Sequence, residues 1–397
     1  MLSTVLSTLR IVFQKEVLDN FRDRRTLLSA LLLGPLFGPV IFAFAINLSL
    51  KQSLSDASEA LDLPVLGSEH APNLIDYLRS HNINITETPD TYDAARQAVA
   101  TGALDVVVVI PESFGRDLAE GLPATVEVIT DQANRQAERE SRRALSAFNA
   151  YNQELAAMRL AARGVSPLVV RPLNIDLVDV STPSGRSALL LGMLSYFFIF
   201  ALLTGGMNLA IDATAGERER GSLEPLLCLP VTREALIYGK ILAACLFMAA
   251  SLAISLVSFY VTLKFVPLEK LGMTPNFGPV VVLTAFLLLL PFTLLGAALM
   301  TLVASFTKSY KEAQTWVSIV LIAPTLPILI VSLLMVRPST ELMLIPSLSQ
   351  HLLLVGLIRN EPLNALHVVV SVAGTLVAGA LLAWACARLY RREGLLG

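Results

Sequence analysis

Hydrophobic residues make up 54% of this 397-residue chain, charged residues only 16%, and the formal net charge is −2. Since a soluble domain carries about 25% charged residues, this composition argues against a soluble globule and excludes a disordered chain, a coiled coil and a collagen-like fibre. The small net charge gives no basic field for nucleic-acid binding, so most of the chain is expected to be solvated by lipid.

Residues 1–26 are predicted to form a cytoplasmic amphipathic helix. Between Leu2 and Phe21, apolar residues recur near helical spacing, and polar residues such as Arg10 and Gln14 occupy the opposite side. A helix of this kind lies along a membrane surface, with its basic residues near anionic head groups. The alternative is an ordinary lead-in segment that frays.

Six long stretches of the chain contain no Asp, Glu, Lys or Arg. Each supplies the roughly 20 apolar residues that a membrane-spanning helix needs, and a buried helix of a soluble protein rarely stays apolar on every face for that length. The chain is therefore predicted to be an α-helical integral membrane protein with six transmembrane helices. The predicted spans are 27–50, 187–211, 241–263, 279–306, 315–336 and 365–387.

Basic residues orient these spans, because cytoplasmic loops carry an excess of Lys and Arg. They cluster before the first span, after the second and at the C-terminus, whereas the opposite loops hold only Lys264, Lys270, Arg337 and Arg359. Both termini are therefore predicted to be cytoplasmic, in a multi-pass protein of the bacterial cytoplasmic (inner) membrane.

Residues 51–186 form the one long soluble stretch and are predicted to be an extracytoplasmic domain inserted between the first two spans. Strand-like and helix-like runs alternate, and the strongest strand signal is the Val-Val-Val-Val-Ile run. This alternation predicts a small α/β domain. No catalytic constellation is evident, since His70 and His81 are separated by a predicted helix. The predicted strands are 64–66, 83–86, 105–110 and 124–130, the predicted helices are 73–80, 91–100, 111–121 and 132–163, and 168–180 is predicted to be extended.

The cytoplasmic loop 212–238 is the most informative segment. It contains the run Glu-Arg-Glu-Arg-Gly-Ser-Leu-Glu-Pro-Leu-Leu, whose spacing favours helical pairing of Glu217 with Arg220 and of Arg220 with Glu224. An apolar knob beside charges suits the docking of a partner protein, and the alternative is a solvated loop. The predicted knob consists of Leu223, Leu226 and Leu227.

This run, followed by Pro-Val-Thr-Arg and Gly239-Lys240, resembles the cytoplasmic signature of ABC-2 type transporter permeases. The layout of the whole chain is most similar to the sodium-extrusion (Nat-type) branch of that family. The resemblance implies a segment that docks onto a separate ATP-hydrolysing subunit, and a complex of two permease subunits, identical or different, with two ATPase subunits. The residues carried over to the coupling segment are Glu217, Arg218, Glu219, Arg220, Gly221, Ser222, Leu223 and Glu224, with Leu226 and Leu227 added as the docking knob.

The chain itself lacks a phosphate-binding loop of the form G-x-x-x-x-G-K-[ST], because Gly239-Lys240 is followed by Ile241. If ATP powers the protein, ATP and Mg must be bound by the partner subunit. We therefore expect no catalytic residue, no metal site and no cofactor in this chain. The expected partners are the ATPase subunit, a second permease subunit and membrane lipid, without nucleic acid.

The polar and ionisable residues of the spans bear on the transport path. Ionisable residues inside a membrane commonly mark an ion path, but none of the six predicted spans contains Asp, Glu, Lys or Arg, so the residues give no support to a sodium cargo. Hydroxyl and amide groups such as Thr204, Asn208 and Thr301 either line a polar path or bond to backbone and neighbouring helices. A hydrophobic or amphiphilic cargo fits at least as well.

Two further features concern the outer side and the fifth span. The outer loop 337–362 is predicted to contain a short helix that dips into the outer leaflet, with a simple surface loop as the alternative. Pro324 and Pro327 are predicted to kink the fifth span, although a packing irregularity without a gating role is favoured over a gate.

Three functions are compatible with the sequence. The first is the permease subunit of an ATP-driven ABC exporter. The second is a mechanotransmitting ABC membrane subunit that acts on a periplasmic partner without moving cargo. The third is a membrane-anchored receptor or structural protein with no ATPase. Binding of an ATPase separates the third from the others.

Overall fold

The computed structural model of the chain is 73% helical and divides into two compact units. The helical unit comprises Met1–Ser49 and Asp179–Gly397, and the sheet unit comprises Leu50–Val178. All residues are described except 1, 59, 87, 171–181, 183–186, 188–190, 223–224, 227, 229–230, 272, 335–337 and 392–397.

The described α-helices are numbered here in chain order. They are α1 (Leu2–Arg22), α2 (Arg24–Leu28), α3 (Gly34–Ser58), α4 (Pro72–Ser80), α5 (Tyr92–Ala100), α6 (Phe114–Ala119), α7 (Arg135–Ala162), α8 (Leu194–Ile211), α9 (Glu217–Glu219), α10 (Arg233–Leu263), α11 (Pro279–Ser305), α12 (Tyr310–Ile322), α13 (Thr325–Leu334), α14 (Leu348–Ile358) and α15 (Ala365–Leu389).

Six helical segments among the described residues are long and apolar enough to cross a membrane, which agrees with the predicted number of spans. Two of them contain a π turn, a helical turn widened by one residue. One π turn joins α2 to α3, and the other joins α8 to α9. The six segments are Ser29–Leu48, Leu194–Glu219, Arg233–Leu263, Pro279–Ser305, Tyr310–Val331 and Ala365–Leu389.

Helices extend beyond the charge-free stretches from which the spans were predicted. The second segment continues to Glu219 rather than ending at residue 211, and the third begins at Arg233 rather than at residue 241. A charge ends an apolar stretch in the sequence, but it does not end a helix when the side chain finds a partner. The fifth span is interrupted near Pro324, since α12 ends at Ile322 and α13 begins at Thr325, whereas Pro327 lies within α13.

Helix α10 is the centre of the helical unit and packs against α1, α8 and α11. Its crossing with α8 is close because α8 presents glycine there. A Cβ atom on Gly205 would lie 2.3 Å from the Cβ of Ser251, and one on Gly206 would lie 2.6 Å from Met248 Cγ. Small residues allow membrane helices to approach in this way, and larger ones at either glycine would force α8 away from α10.

Most hydroxyl groups of the membrane helices bond to the backbone of their own helix. Thr204 Oγ1 donates to the carbonyl of Phe200 at 3.0 Å, and Thr301 Oγ1 donates to that of Ala297 at 2.7 Å. These two groups therefore follow the backbone-bonding alternative rather than a polar path. Asn208 instead reaches another helix, where its Nδ2 donates to Ser29 Oγ at 3.1 Å.

The segment after the fifth span contains the short helix α14, in the region where the sequence predicts one. Polar side chains on this helix are buried and bonded to one another and to neighbouring helices. His351 Nδ1 lies 2.6 Å from Ser195 Oγ on α8, and Gln350 Nε2 donates to Thr375 Oγ1 on α15 at 2.8 Å. Helix α14 is therefore part of the packed helical unit rather than a surface loop.

The sheet unit contains four strands, β1 (Leu61–Leu66), β2 (Ile83–Thr86), β3 (Val106–Val109) and β4 (Glu127–Thr130), in the order β2-β1-β3-β4. Strand β1 pairs in parallel with β2 and β3, and β4 is antiparallel to β3. Alternate residues of β3 reach opposite faces: Val108 packs with the core below α4 and α7, and Val107 packs with α5. Burial on both faces explains the unbroken valine run.

The sequence located these strands and helices but misplaced several boundaries. Strand β1 starts at Leu61 rather than at residue 64, because a polar residue, Asp62, interrupts the apolar pattern at an outward-facing position. The predicted helix 111–121 is shorter, forming only α6. Residues 167–170 form a 3₁₀ turn instead of the predicted extended segment, and 171–180 lie outside the described residues.

Candidate coupling site

The predicted coupling segment begins as the end of the second membrane helix. After the π turn Asp212–Gly216, helix α9 contains the first three charged residues of the run. Gly221 ends the helix with a φ of +65°, and its N–H donates to the carbonyl of Arg218, while the N–H of Ser222 donates to that of Glu217. This is a Schellman cap, which favours glycine at this position because of the left-handed backbone.

Glu217 lies in the interior rather than on a docking surface, with 6% of the residue exposed. Its carboxylate forms an ion pair with the ammonium group of Lys240 on α10, which is 2% exposed. Lys240 Nζ also donates to the carbonyl of Ala213 at 2.6 Å. The other oxygen of Glu217 lies 3.5 Å from Lys15 Nζ on α1. One carboxylate therefore joins α1, α9 and α10.

Arg218 connects the same segment to the C-terminal end of α11. Its guanidinium donates to the carbonyl of Thr307 at 2.7 Å and to that of Ser305 at 3.0 Å. The last carbonyls of a helix lack partners within the helix and carry partial negative charge. A cation at this position therefore both satisfies these acceptors and complements the helix dipole.

Glu219 and Arg220 complete the set. Glu219 Oε2 accepts a hydrogen bond from the backbone N–H of Tyr310, the first residue of α12, at 2.6 Å, so an acidic group lies at the positive end of that helix. Arg220 Nη1 donates to Asp212 Oδ1 at 2.8 Å. This hydrogen bond is the main reason that the pKa of Arg220 is raised.

These four consecutive residues, Glu217–Arg220, are called the clasp below. Each bonds to a different group: one to α10 and α1, one to the end of α11, one to the start of α12, and one back to the π turn. Glu217 and Arg220 do not form the predicted direct ion pair, because Glu217 pairs with Lys240 and Arg220 with Asp212, although the charge of Glu217 contributes to the raised pKa of Arg220. The predicted pairing of Arg220 with Glu224 cannot be compared, since Glu224 lies outside the described residues.

The remaining predicted coupling residues follow the clasp. Gly221 and Ser222 are exposed, as are Pro225 and Cys228, and Leu226 is half-buried. The other members of the predicted set, Leu223, Glu224 and Leu227, lie outside the described residues. The described part of 221–228 is therefore accessible, whereas the clasp runs from the buried Glu217 to the exposed Glu219 and Arg220.

Helix α1 belongs to the site, because it packs along α10. A Cβ atom on Gly239 would lie 2.9 Å from Val12 Cβ, and Val12, Glu16 and Asn20 form the buried stripe of α1. The buried side thus contains a carboxylate that the sequence did not place there, while Leu6 and Phe21 are more than half exposed. The predicted position of α1 along a lipid surface stays a prediction.

Lys15 lies among three acidic side chains at the edge of this packing. Its Nζ is 3.0 Å from Glu16, 3.8 Å from Asp19 and 3.5 Å from Glu217. Burial by itself lowers the pKa of Lys15, but the three carboxylates outweigh burial and raise it overall. Lys15 therefore stays charged and holds α1 to the clasp over the physiological pH range.

Three residues of this site were missed in the sequence: Lys240, Lys15 and Asp212. Lys240 stands just before a charge-free stretch, so it was counted as loop. The sequence nevertheless contained a signal for the buried pair, because Glu217 follows the second predicted span and Lys240 immediately precedes the third.

A cavity of about 520 Å³ opens beside the clasp. Carboxylates predominate in its lining, with one guanidinium among them. Among the described residues, His, Cys, Asp and Glu side chains do not group in threes as a metal ion would require. The lining residues are Asp19, Asn20, Asp23, Asn208, Asp212, Gly216, Glu219, Arg220 and Tyr310.

The chain is similar to known proteins along most of its length. Residues 24–385 match the family described as ABC-2 family transporter protein. The chain is also 27% identical over 383 residues to the ABC transporter permease protein NatB of Bacillus subtilis (strain 168), an alignment that covers 94% of this chain and 96% of that protein.

Proposed function

Since the chain belongs to the ABC-2 family of transporter proteins and is a multi-pass membrane protein, we propose that it is the permease subunit of an ATP-driven exporter. A separate ATPase subunit supplies the energy, and the substrate moves outward. Two permease subunits and two ATPase subunits form the complex. Both termini lie in the cytoplasm of a bacterial cell, and the sheet unit lies on the other side of the inner membrane.

The observation that carries this proposal is the clasp. An ATPase that docks on residues 221–228 pulls on a segment whose preceding residues bond to α1, α10, α11 and α12. A displacement of that segment changes several helix contacts at once. Because packed helices adopt discrete arrangements rather than deforming continuously, this connection converts docking and ATP binding into a rearrangement of the membrane helices.

The cargo that suits this chain best is a hydrophobic or amphiphilic compound. Two hydroxyl groups that the sequence offered for a polar path bond to the backbone of their own helices. The buried charges Glu217 and Lys240 neutralise each other at the end of the helices. Sodium remains a second cargo to be measured in the same assay.

A second function is favoured by one structural observation. The sheet unit has an apolar core of its own, in which Leu63, Leu78 and Val108 are fully buried, so it is a separately packed unit that a partner protein can bind. The protein would then act on a periplasmic partner through the sheet unit, and no cargo would cross.

The first experiment tests ATPase docking. Replacing Leu226 and Leu227 with Asp is expected to abolish recovery of the ATPase subunit in a pull-down, because two charges replace the apolar knob. Leu122→Asp is the matched control, since this half-exposed leucine lies in the sheet unit. Normal recovery with the double variant would contradict the docking role.

The second experiment separates the two functions. The complex is reconstituted in proteoliposomes with an internal sodium indicator or an amphiphilic fluorescent dye. ATP-dependent movement of either probe supports the exporter. ATP hydrolysis that continues without movement of either probe, together with ATP-dependent protection of the sheet unit from protease, supports mechanotransmission instead.

A further inference from the structure

Two π turns interrupt the helices of the described residues, and both lie in the first two membrane segments. One comprises Ser29–Leu33 and the other comprises Asp212–Gly216. A π turn contains one residue more than the α-helical turn it replaces, is rare, and occurs frequently at functional sites. Each is followed directly by more α-helix, and the extra residue is therefore inserted within a helix rather than at a frayed end.

The two π turns are linked by a side chain. Asn208, one turn before the second π turn, donates from Nδ2 to Oγ of Ser29, the first residue of the other π turn, at 3.1 Å. The helices are also in close contact here, because a Cβ atom on Gly34 would lie 2.9 Å from Thr204 Oγ1. A shift of register in one helix therefore changes a contact of the other.

The second π turn is held by residues of the clasp and its partners. Lys240 Nζ donates to the carbonyl of Ala213, a residue within the turn. The guanidinium of Arg220 donates to the side-chain carboxylate and to the backbone carbonyl of Asp212. Gly216 also contributes, since a Cβ atom there would lie 2.8 Å from Asp212 Oδ1. The extra residue is thus stabilised by the same side chains that connect the coupling segment to the other helices.

We propose that the linked π turns are a register switch, in which Lys240 and Asn208 are positioning residues. In the state described here, Lys240 holds the turn at Asp212–Gly216 in its wide form. When the coupling segment is displaced, Lys240 releases Ala213, the turn becomes α-helical, and the clasp moves by one residue, a rotation of roughly 100° and a rise of about 1.5 Å. Asn208 passes this change to the π turn of the first span. The source of the displacement rests on the proposed function, but the switch itself does not.

The first test needs no ATPase. The full chain is placed in lipid nanodiscs with Cys245→Ala and Cys386→Ala, which leaves the exposed Cys228 for a spin label, and Gln14→Cys on the exposed side of α1 carries the second label. Lys240→Met combined with Glu217→Met removes the donor to Ala213, and because both members of the buried pair are replaced, neither charge is left without its partner. We expect the label distance to shift by about 5 Å or more, because side chains extend that far from the helix axis.

A second variant protects this test against misfolding. Gly216→Ala keeps every charge and crowds Asp212, so it is expected to shift the same distance in the same direction. Thr301→Val on α11 is the control, because its hydroxyl donates to the carbonyl of Ala297 in its own helix and none of the π-turn contacts described above involves it, so it should leave the distance unchanged. If the folded variants give the wild-type distance, the switch is overturned.

The ATPase subunit and ATP are then added, with a further label at Val40→Cys on the first span. Two distances are measured, one between the labels at positions 14 and 228 and one between those at positions 14 and 40. In the chain without further substitutions, ATP is expected to shift both distances. Asn208→Leu should retain the first shift and lose the second, and retention of both would overturn the link. A chain whose variants shift in the first test but which binds no ATPase would contradict the proposed function and leave the switch standing.

Discussion

The ion pair between Arg142 and Glu138 in the sheet unit is exposed, with 69% and 49% of the side chains accessible, whereas Lys240 and Glu217 in the helical unit pair with 2% and 8% accessible. Exposed pairs contribute about 0–1 kcal/mol because water screens them and holding them costs side-chain entropy. Removing one partner of a buried pair costs roughly 3–5 kcal/mol, because the other charge is left without compensation. An ion pair between a basic side chain and a glutamate therefore contributes differently to stability in the two units.

The difference follows from what surrounds each unit. The sheet unit has an apolar core in which Leu63, Leu78 and Val108 are fully buried, and water drives its burial. Lipid tails are as apolar as leucine, so membrane helices gain little from apolar contact with one another. Polar contacts at the helix ends, such as those of the clasp, then determine which helices pack together.

The largest effect is expected from breaking the buried pair. Lys240→Met should lower the free energy of unfolding by roughly 3–5 kcal/mol, since the buried carboxylate of Glu217 would keep only the half-exposed Lys15, 3.5 Å away, as a cationic partner. The measurement is reversible unfolding of the full chain in mixed detergent, followed by tryptophan fluorescence. ATP-dependent transport should be lost in the same variant.

The double variant Lys240→Met with Glu217→Met tests whether the loss arises from the unpaired charge. Two apolar side chains of similar volume are expected to recover most of the stability, because neither desolvated charge remains. Transport should stay low, since the connection between α9 and α10 is gone. If the double variant is as unstable as Lys240→Met alone, the buried pair does not explain the cost.

The same contrast shows what the sequence could predict. The valine run of β3 and the six apolar segments were evident because a single property, apolarity, recurs over many residues. The Schellman cap at Gly221 was not assigned, because a glycine beside charges is equally common in a solvated loop. Thr91, in contrast, was taken into helix α5 and is its N-cap, with Oγ1 accepting from the N–H of Ala94 at 3.3 Å.

Local spacing along the chain could not identify the partners of the clasp. Its four residues bond to groups that are distant in the chain: Glu217 and Lys240 are 23 positions apart, and Glu219 and Tyr310 are 91 apart. Local spacing favoured pairs within one helix, which are worth only about 0.2–0.5 kcal/mol. Tertiary contacts to buried partners and to unsatisfied helix ends are stronger, so they determined the arrangement.

A moderate effect is expected at Arg218, which donates two hydrogen bonds to backbone carbonyls at the C-terminal end of α11. Arg218→Met should lower the free energy of unfolding by roughly 1.5–3 kcal/mol, the range for hydrogen bonds that involve a charged group. Arg233→Met is the matched control, because its hydrogen bond to the carbonyl of Tyr390 is longer, at 3.4 Å. Equal losses in the two variants, measured by the same unfolding assay, would contradict the special position of Arg218.

The smallest effect is expected in the sheet unit, where Arg142→Met breaks an exposed pair at i,i+4 spacing on α7. The loss should be about 0.2–0.5 kcal/mol and should shrink further in high salt, because exposed pairs are screened. Ile75→Val in the apolar core of the same unit calibrates the assay, with an expected loss of about 0.5–1.5 kcal/mol. A larger loss at Arg142 than at Ile75 would mean that exposed ion pairs also stabilise the sheet unit. The proposed contrast, in which ion pairs stabilise the helical unit and apolar burial stabilises the sheet unit, would then be wrong.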